Sequence, residues 1–207
     1  MSSDWRHLFH AVAGSSLPVA GIFLMRDGDA SEPLLIALGV LSGGGLAFDL
    51  FRMRIGWLNR FLVRRLSVLL KREEAHCVTG ATYMTIAAFI AFLLFDPRVA
   101  VSALLFLSLG DPAAALAGQR MPGPRVFGKS PVGTVAFIAV SLLVVAILTG
   151  ARVVEYHWGL LVGAVVAGLV ELVPVPSPFK WGGRSGALDD NLTIPLVSGA
   201  VMRLIGV

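Results

Sequence analysis

Of the 207 residues, one is a cysteine, Cys77, four are histidines and two are tyrosines. A single thiol excludes an intramolecular disulfide, and it reads as a small apolar packing residue. Four scattered histidines beside one cysteine give no zinc-ligand spacing. Charge is scarce too: Asp, Glu, Lys and Arg make up 14% of the chain, against roughly 25% in soluble globular domains. The chain has no G-x-S-x-G element, no ordered Ser-His-Asp set, no long-period repeat and no low-complexity segment. The N-terminal "MSSDWRHLFHAVAG" carries Asp4 among few positive charges, and its apolar run continues through Pro18 to Met25. It reads as a retained first helix rather than a cleaved signal.

What is present is apolar. The hydrophobic share is 56% and the mean hydropathy is +0.81. Together they imply an all-α integral membrane protein, a single polytopic domain over residues 1–207. At about 20 residues per span, the length allows roughly six to eight helices. Seven apolar segments are predicted to span, over about 9–25, 33–50, 77–95, 99–118, 131–150, 158–173 and 191–207. The first and last carry internal prolines, Pro18 and Pro195, which membrane helices tolerate where neighbours satisfy the freed backbone groups.

Seven alternating spans place 13 of the 17 Lys and Arg residues on one side. By the positive-inside rule that side, including the N-terminus, is cytoplasmic. The basic excess therefore reads as loops beside anionic lipid rather than as a nucleic-acid surface. Residues 54–72 are not a span. Arg60, Arg64, Ser67 and Lys71 share one helical face, while Leu58, Phe61, Leu62, Leu66, Leu69 and Leu70 fill much of the other. This is the pattern of an amphipathic helix in the cytoplasmic interface.

Ionisable residues inside or bordering the spans are the candidates for function. Asp111, in "SLGDPAAALAGQR", lies seven residues before Gly118, or about 10 Å of helix rise. Gly110 and Pro112 beside it predict a break or kink. Asp111 reads as a ligand or metal residue in preference to a carboxylate merely bonded within the bundle. Next, Gly123, Gly128, Lys129 and Ser130 fit the spacing G-x-x-x-x-G-K-[ST]. A soluble phosphate loop follows a buried strand, whereas a membrane helix precedes this one, so that fold is excluded. The local chemistry survives. Ser130 suits an N-cap and Pro131 a first helical position. Gly128 and Gly133 permit close backbone approach, and Lys129 with the helix start suits an anion such as a nucleotide phosphate.

The third piece is "ELVPVPSPFKWGGRSGALDDN", residues 171–191. Pro174, Pro176 and Pro178 stiffen it. Phe179 and Trp181 suit base stacking, Lys180 and Arg184 suit phosphates, and Gly182, Gly183 and Gly186 allow a turn. Either Asp189 or Asp190 alone would serve as a helix cap. Two aspartates with Asn191, facing a basic glycine loop, read instead as a site for hydrated Mg²⁺ bridging to phosphates. Arg6 with His10, Asp49 with Arg52, and Glu73, Glu74 and His76 read as interfacial.

The stretches "GDPAAALAG", "FGKSPVGTVAF" and "DDNLTIPLVSG", in that order, resemble the CTP-dependent lipid kinases: dolichol kinase, phytol kinase and CTP-dependent diacylglycerol kinase, with phosphatidate cytidylyltransferase a distant relation. "WRHLFHAVAG", "FDLFRMR" and "EEAHCVTGATY" add weaker likeness, so the resemblance covers most of the chain. It implies a kinase that moves the γ-phosphoryl group of CTP onto a lipid alcohol, with Mg²⁺ or another divalent cation. Asp111, Lys129 and Asp190 are the implied catalytic residues. Gly128, Lys129, Ser130 and Gly133 match the family's nucleotide loop; with Thr134, Asn191 and the loop residues Lys180 and Arg184 they are the expected nucleotide contacts, and Asp111, Asp189 and Asp190 the expected metal residues. Which carboxylate is base and which is ligand stays open. The nucleotide region spans about 110–134 and the final motif about 171–195.

Expected partners are the lipid alcohol, CTP and membrane lipids, with a homodimer possible and no nucleic acid. The compact length points to a prokaryotic inner membrane. A cytidylyltransferase attacking the α-phosphate needs similar residues. A transporter fits less well, because the polar residues cluster on one side and no repeat is visible.

Overall fold

The computed structural model describes residues 3–26, 29–65, 76–121, 123–176 and 188–207, and of residues 3–10, 25, 26 and 29 the backbone alone. Eight helices follow in order: α1 Ser3–Leu24, α2 Glu32–Arg54, α3 Gly56–Arg65, α4 Gly80–Leu94, α5 Pro97–Arg120, α6 Pro131–Gly150, α7 Trp158–Leu172 and α8 Asp190–Ile205. A two-residue antiparallel ladder, β1 Met25–Arg26 with β2 Asp29–Ala30, joins α1 to α2. Each of the seven apolar segments is thus a helix. Three of them, α2, α5 and α6, are long and apolar enough to cross a membrane, while Ala11–Leu24, Gly80–Leu94 and Trp158–Leu172 are shorter apolar helices.

The helix starts follow from local chemistry. Asp96 Oδ1 accepts from Arg98 N at 2.8 Å, with Pro97 at the first helical position where its missing N–H is harmless. The Thr79 hydroxyl accepts from Thr82 N at 3.2 Å at the start of α4. The prolines do not stop their helices. α1 runs through Pro18 and α8 through Pro195. The break predicted at Gly110–Pro112 does not occur either, since α5 continues to Arg120. Both residues are buried, and a Cβ on Gly110 would lie 2.8 Å from the Phe137 ring of α6. The packing of α6 holds the helix through the proline.

α5 is the hub. Its residues Val99–Leu107 are buried, and it packs against α6, α1, α8 and α7, while α7 packs on α8, α2 on α4, and α4 on α8. α2 is more peripheral, with Ile36, Val40, Leu41 and Phe51 exposed. Exposed leucines, valines and phenylalanines on the outside of an apolar bundle are expected where lipid is the solvent. Of the stretch 54–72, read as an amphipathic helix, the structure describes α3. Trp57, Arg60 and Phe61 are exposed and Asn59 is buried. Leu66, Ser67, Leu69, Leu70, Lys71, Glu73 and Glu74 lie outside the described residues.

Candidate functional site

The end of α5, the start of α6, the end of α7 and the start of α8 meet at one end of the bundle. A cavity of about 200 Å³ opens there, lined by Asp111, Ala114, Ala115, Gly118, Gln119, Arg125, Gly128, Lys129, Ser130, Gly133 and Glu171. Pockets that enclose whole drug-sized ligands run from about 300 to 1,000 Å³. This one matches a phosphate chain better than an entire nucleotide.

The segment before α6 is a tight hairpin. Val126 N donates to the Lys129 carbonyl and Lys129 N to the Val126 carbonyl, each at 2.9 Å. Between them Phe127 and Gly128 have φ of 50° and 85°, positive at both central positions as in a type I′ turn. Glycine adopts this freely, whereas Phe127 holds it against about 1–2 kcal/mol of steric cost. The glycine-lysine spacing therefore encodes a hairpin corner rather than a wrapped phosphate loop. Arg125 Nη1 donates to the Gly128 carbonyl at 3.2 Å, bracing the corner.

The turn delivers Lys129 to two carboxylates. Its Nζ lies 2.7 Å from Asp190 Oδ2 and 3.0 Å from Glu171 Oε1. Glu171 is buried at the end of α7, and its Oε2 accepts from Thr134 Oγ1 at 3.1 Å. Burial alone would lower the lysine pKa, but Asp190 and then Glu171 outweigh it and hold the ammonium above the ordinary lysine range.

Ser130 occupies the N-cap of α6 as expected, yet its hydroxyl makes no cap bond. Ser130 lines the cavity. Gly133 serves the packing of α5 on α6 rather than ligand approach alone: a Cβ there would lie 2.7 Å from the Ala114 carbonyl oxygen.

The two aspartates divide. Asp189 takes the capping role, its Oδ1 accepting from Asn191 N at 2.9 Å and from Asn191 Nδ2 at 2.7 Å. That also engages Asn191. Asp190 turns to Lys129. Asp111 lines the cavity and makes no hydrogen bond or ion pair with a described residue. Among the described residues, no three His, Cys, Asp or Glu side chains converge as a metal cluster. Asp111, Asp189 and Asp190 are thus not a preformed cage. Separate carboxylates beside a phosphate-sized cavity nevertheless suit Mg²⁺, which takes one or two carboxylates and completes its shell with water and substrate phosphates. Lys180 and Arg184, with Phe179, Trp181, Gly182, Gly183 and Gly186, lie outside the described residues.

Three polar cavity residues escaped the sequence-based site set: Glu171, Arg125 and Gln119. Glu171 carried the only usable signal, a carboxylate at the end of an apolar run. Asp49 and Arg52, read as interfacial, are instead buried together, with Arg52 Nε 2.7 Å from Asp49 Oδ1. Arg52 Nη1 also donates to Asn59 Oδ1, and Nη2 to the Cys77 carbonyl, each at 2.8 Å. Asp49 Oδ2 accepts from Thr79 N and from the Thr82 hydroxyl at 2.9 and 2.7 Å. This network ties α2, α3 and α4 together.

Two curated relatives match the chain. A protein named CTP-dependent diacylglycerol kinase 1 from Eremothecium gossypii is 28% identical over 184 residues, covering 77% of this chain and 55% of that protein. One of the same name from Schizosaccharomyces pombe is 26% identical over 168 residues, covering 74% of this chain and 73% of its own. The resemblance to the CTP-dependent lipid kinases is borne out. The chain spans about half the length of the first relative. No protein-family model matches the chain, and no solved structure matches it.

Proposed function

We propose that this protein is a membrane kinase that transfers the γ-phosphoryl group of CTP to a lipid alcohol, with diacylglycerol as the acceptor. The observation that carries this reading is the convergence of Lys129, Asp111, Glu171 and Asp190 on one phosphate-sized cavity. The likeness to proteins named CTP-dependent diacylglycerol kinase supports both the nucleotide and the lipid. Seven membrane-spanning helices fit the seven apolar segments, and the basic excess of one side favours a cytoplasmic site and N-terminus. An alternation of spans puts the end of α5, the start of α6, the end of α7 and the start of α8 on the same side.

Phosphoryl transfer asks chiefly for positioning and charge neutralisation. Lys129 takes the phosphates, presented by the Gly128 turn. Ser130 and the first N–H groups of α6 face the same anion. Lys180, Arg184 and Asn191 complete the nucleotide contacts. Thr134 and Gly133 set the floor, one bonding Glu171 and the other letting α6 approach α5. Asp190, with Glu171 or Asp111, would hold Mg²⁺, which would neutralise phosphate charge. Asp189 caps α8 and fixes its neighbour. Asp111 has no described partner and is free to accept the acceptor's hydroxyl proton. The alcohol oxygen then bonds to the γ-phosphorus, the bond to the β-bridging oxygen breaks, and CDP leaves.

The acceptor is tested with purified protein, Mg²⁺, γ-labelled CTP and, separately, diacylglycerol, a polyprenol and phytol. Preferential labelling of diacylglycerol supports the assignment. Preferential labelling of either isoprenoid alcohol overturns it.

A further inference from the structure

Lys129 is held between two carboxylates. Its ammonium is shared between Glu171 and Asp190 at 3.0 and 2.7 Å, and Thr134 pins the second oxygen of Glu171 at 3.1 Å. Around the cavity, Asp111, Glu171 and Asp190 oppose only Lys129 and Arg125 among the described ionisable groups that line it or bond to its lining. Among these described groups a polyanion meets three carboxylates and two cations, the proposed contacts Lys180 and Arg184 lying outside them. It also has to draw Lys129 away from its two partners, leaving Glu171, buried at 5% exposure, without its cation. A buried carboxylate stripped of its partner is costly, so phosphate binding alone is opposed.

We infer that Glu171 is a positioning residue that makes nucleotide binding conditional on a divalent cation. The inference rests on the proposed nucleotide site. Lys129 passes from Glu171 and Asp190 to the phosphates, and the carboxylates it leaves would hold the cation, whose charge would take the place of the ammonium. In this reading the ion pair of Lys129 with Glu171 and Asp190 is the latch. Its consequence differs in sign from that of a purely structural role. A carboxylate that only supports Lys129 would, once neutralised, leave nucleotide binding weaker with and without Mg²⁺. A latch, once neutralised, releases Lys129, and cation-free binding becomes tighter.

Glu171→Gln is the suitable change, because the amide retains the volume and can still bond Thr134 while it no longer holds Lys129 by charge. The affinity for a non-hydrolysable CTP analogue is measured for wild type, Glu171→Gln and Glu171→Asp, with Mg²⁺ and with chelator. For wild type, a gain from Mg²⁺ of about tenfold or more is expected, within the usual range of coupling between sites. In Glu171→Gln the gain falls to about a third of that or less, chiefly because cation-free affinity rises, and Glu171→Asp restores it in part. An unchanged Mg²⁺ gain in Glu171→Gln, or equal loss of affinity in both conditions, overturns the latch while leaving the nucleotide site intact. Absence of analogue binding by wild type in either condition overturns the nucleotide site and the latch with it.

Discussion

Lys129 and Asp190 stand 61 residues apart in the chain and 2.7 Å apart in space. The hairpin corner before α6 and the first turn of α8 each supply one half of the pair. Glu171, from the end of α7, closes it into a triad with one cation between two carboxylates. Asp111 stands on the cavity wall outside that triad. Among the described residues one carboxylate is thus without a partner while two are occupied, and their roles in the proposed reaction differ accordingly.

Asp111→Asn tests that division. The proposed base is removed with little change in volume. General-base loss slows turnover by about 10²–10⁴-fold, and the affinity for a CTP analogue with Mg²⁺ should change little. Kinetics and analogue binding on the same preparation check this. A comparable fall in analogue affinity would assign Asp111 to the cation instead.

The pair of Lys129 with its carboxylates also sets a pH window. Its folded pKa is raised above the ordinary 10.5. A raised value contributes stability that is fully present below the unfolded pKa and is lost as pH rises through the folded one. The thermal-stability difference between wild type and Lys129→Met should therefore be flat from neutral pH to about the ordinary lysine value and shrink only above it. Melting curves across that range decide the matter. A difference that disappears below it would show that the pair does not hold the proton.

Two glycines give separable defects. Gly128→Ala forces a Cβ into a φ of 85°, at about 1–2 kcal/mol, and displaces Lys129, so the KM for nucleotide should rise with modest destabilisation. Gly133→Ala puts a Cβ 2.7 Å from the Ala114 carbonyl and acts through overpacking of α5 on α6, at about 1–3 kcal/mol. Its main effect should be on the melting temperature.

Arg52→Ala strips a fully buried carboxylate of its cation and leaves Asn59 and the Cys77 carbonyl without their guanidinium donors. The expected loss is about 3–5 kcal/mol. Replacing Asp49 and Arg52 together by apolar residues of similar volume should cost clearly less than Arg52→Ala alone. Denaturation in detergent measures both.

The helices were legible because unbroken apolar runs bounded by proline, glycine and charge leave few alternatives in a chain this hydrophobic. Asp111, Lys129 and Asp190 were legible for the same reason: an ionisable group beside such a run stands out. Glu171 did not stand out as much, because its importance comes from Thr134 and Lys129, 37 and 42 residues away. The Asp49–Arg52 network was missed likewise. Its acid and base look like an ordinary span end until α3 and α4 fold over them. Phe127 gave no sign of its positive φ, which only the ladder between Val126 and Lys129 imposes. The unbroken course of α5 through Pro112 depends on α6 packed at Gly110. In each case the missing information was tertiary, while the residue types were already in view.

The most direct measurement uses purified protein in detergent with Mg²⁺, diacylglycerol and phosphatidate, and CTP labelled in parallel preparations at the α or the γ phosphorus. The account predicts lipid-soluble label from γ-labelled CTP alone, with CDP as the other product. Label from α-labelled CTP, with release of pyrophosphate, would contradict it and make the same site that of a cytidylyltransferase.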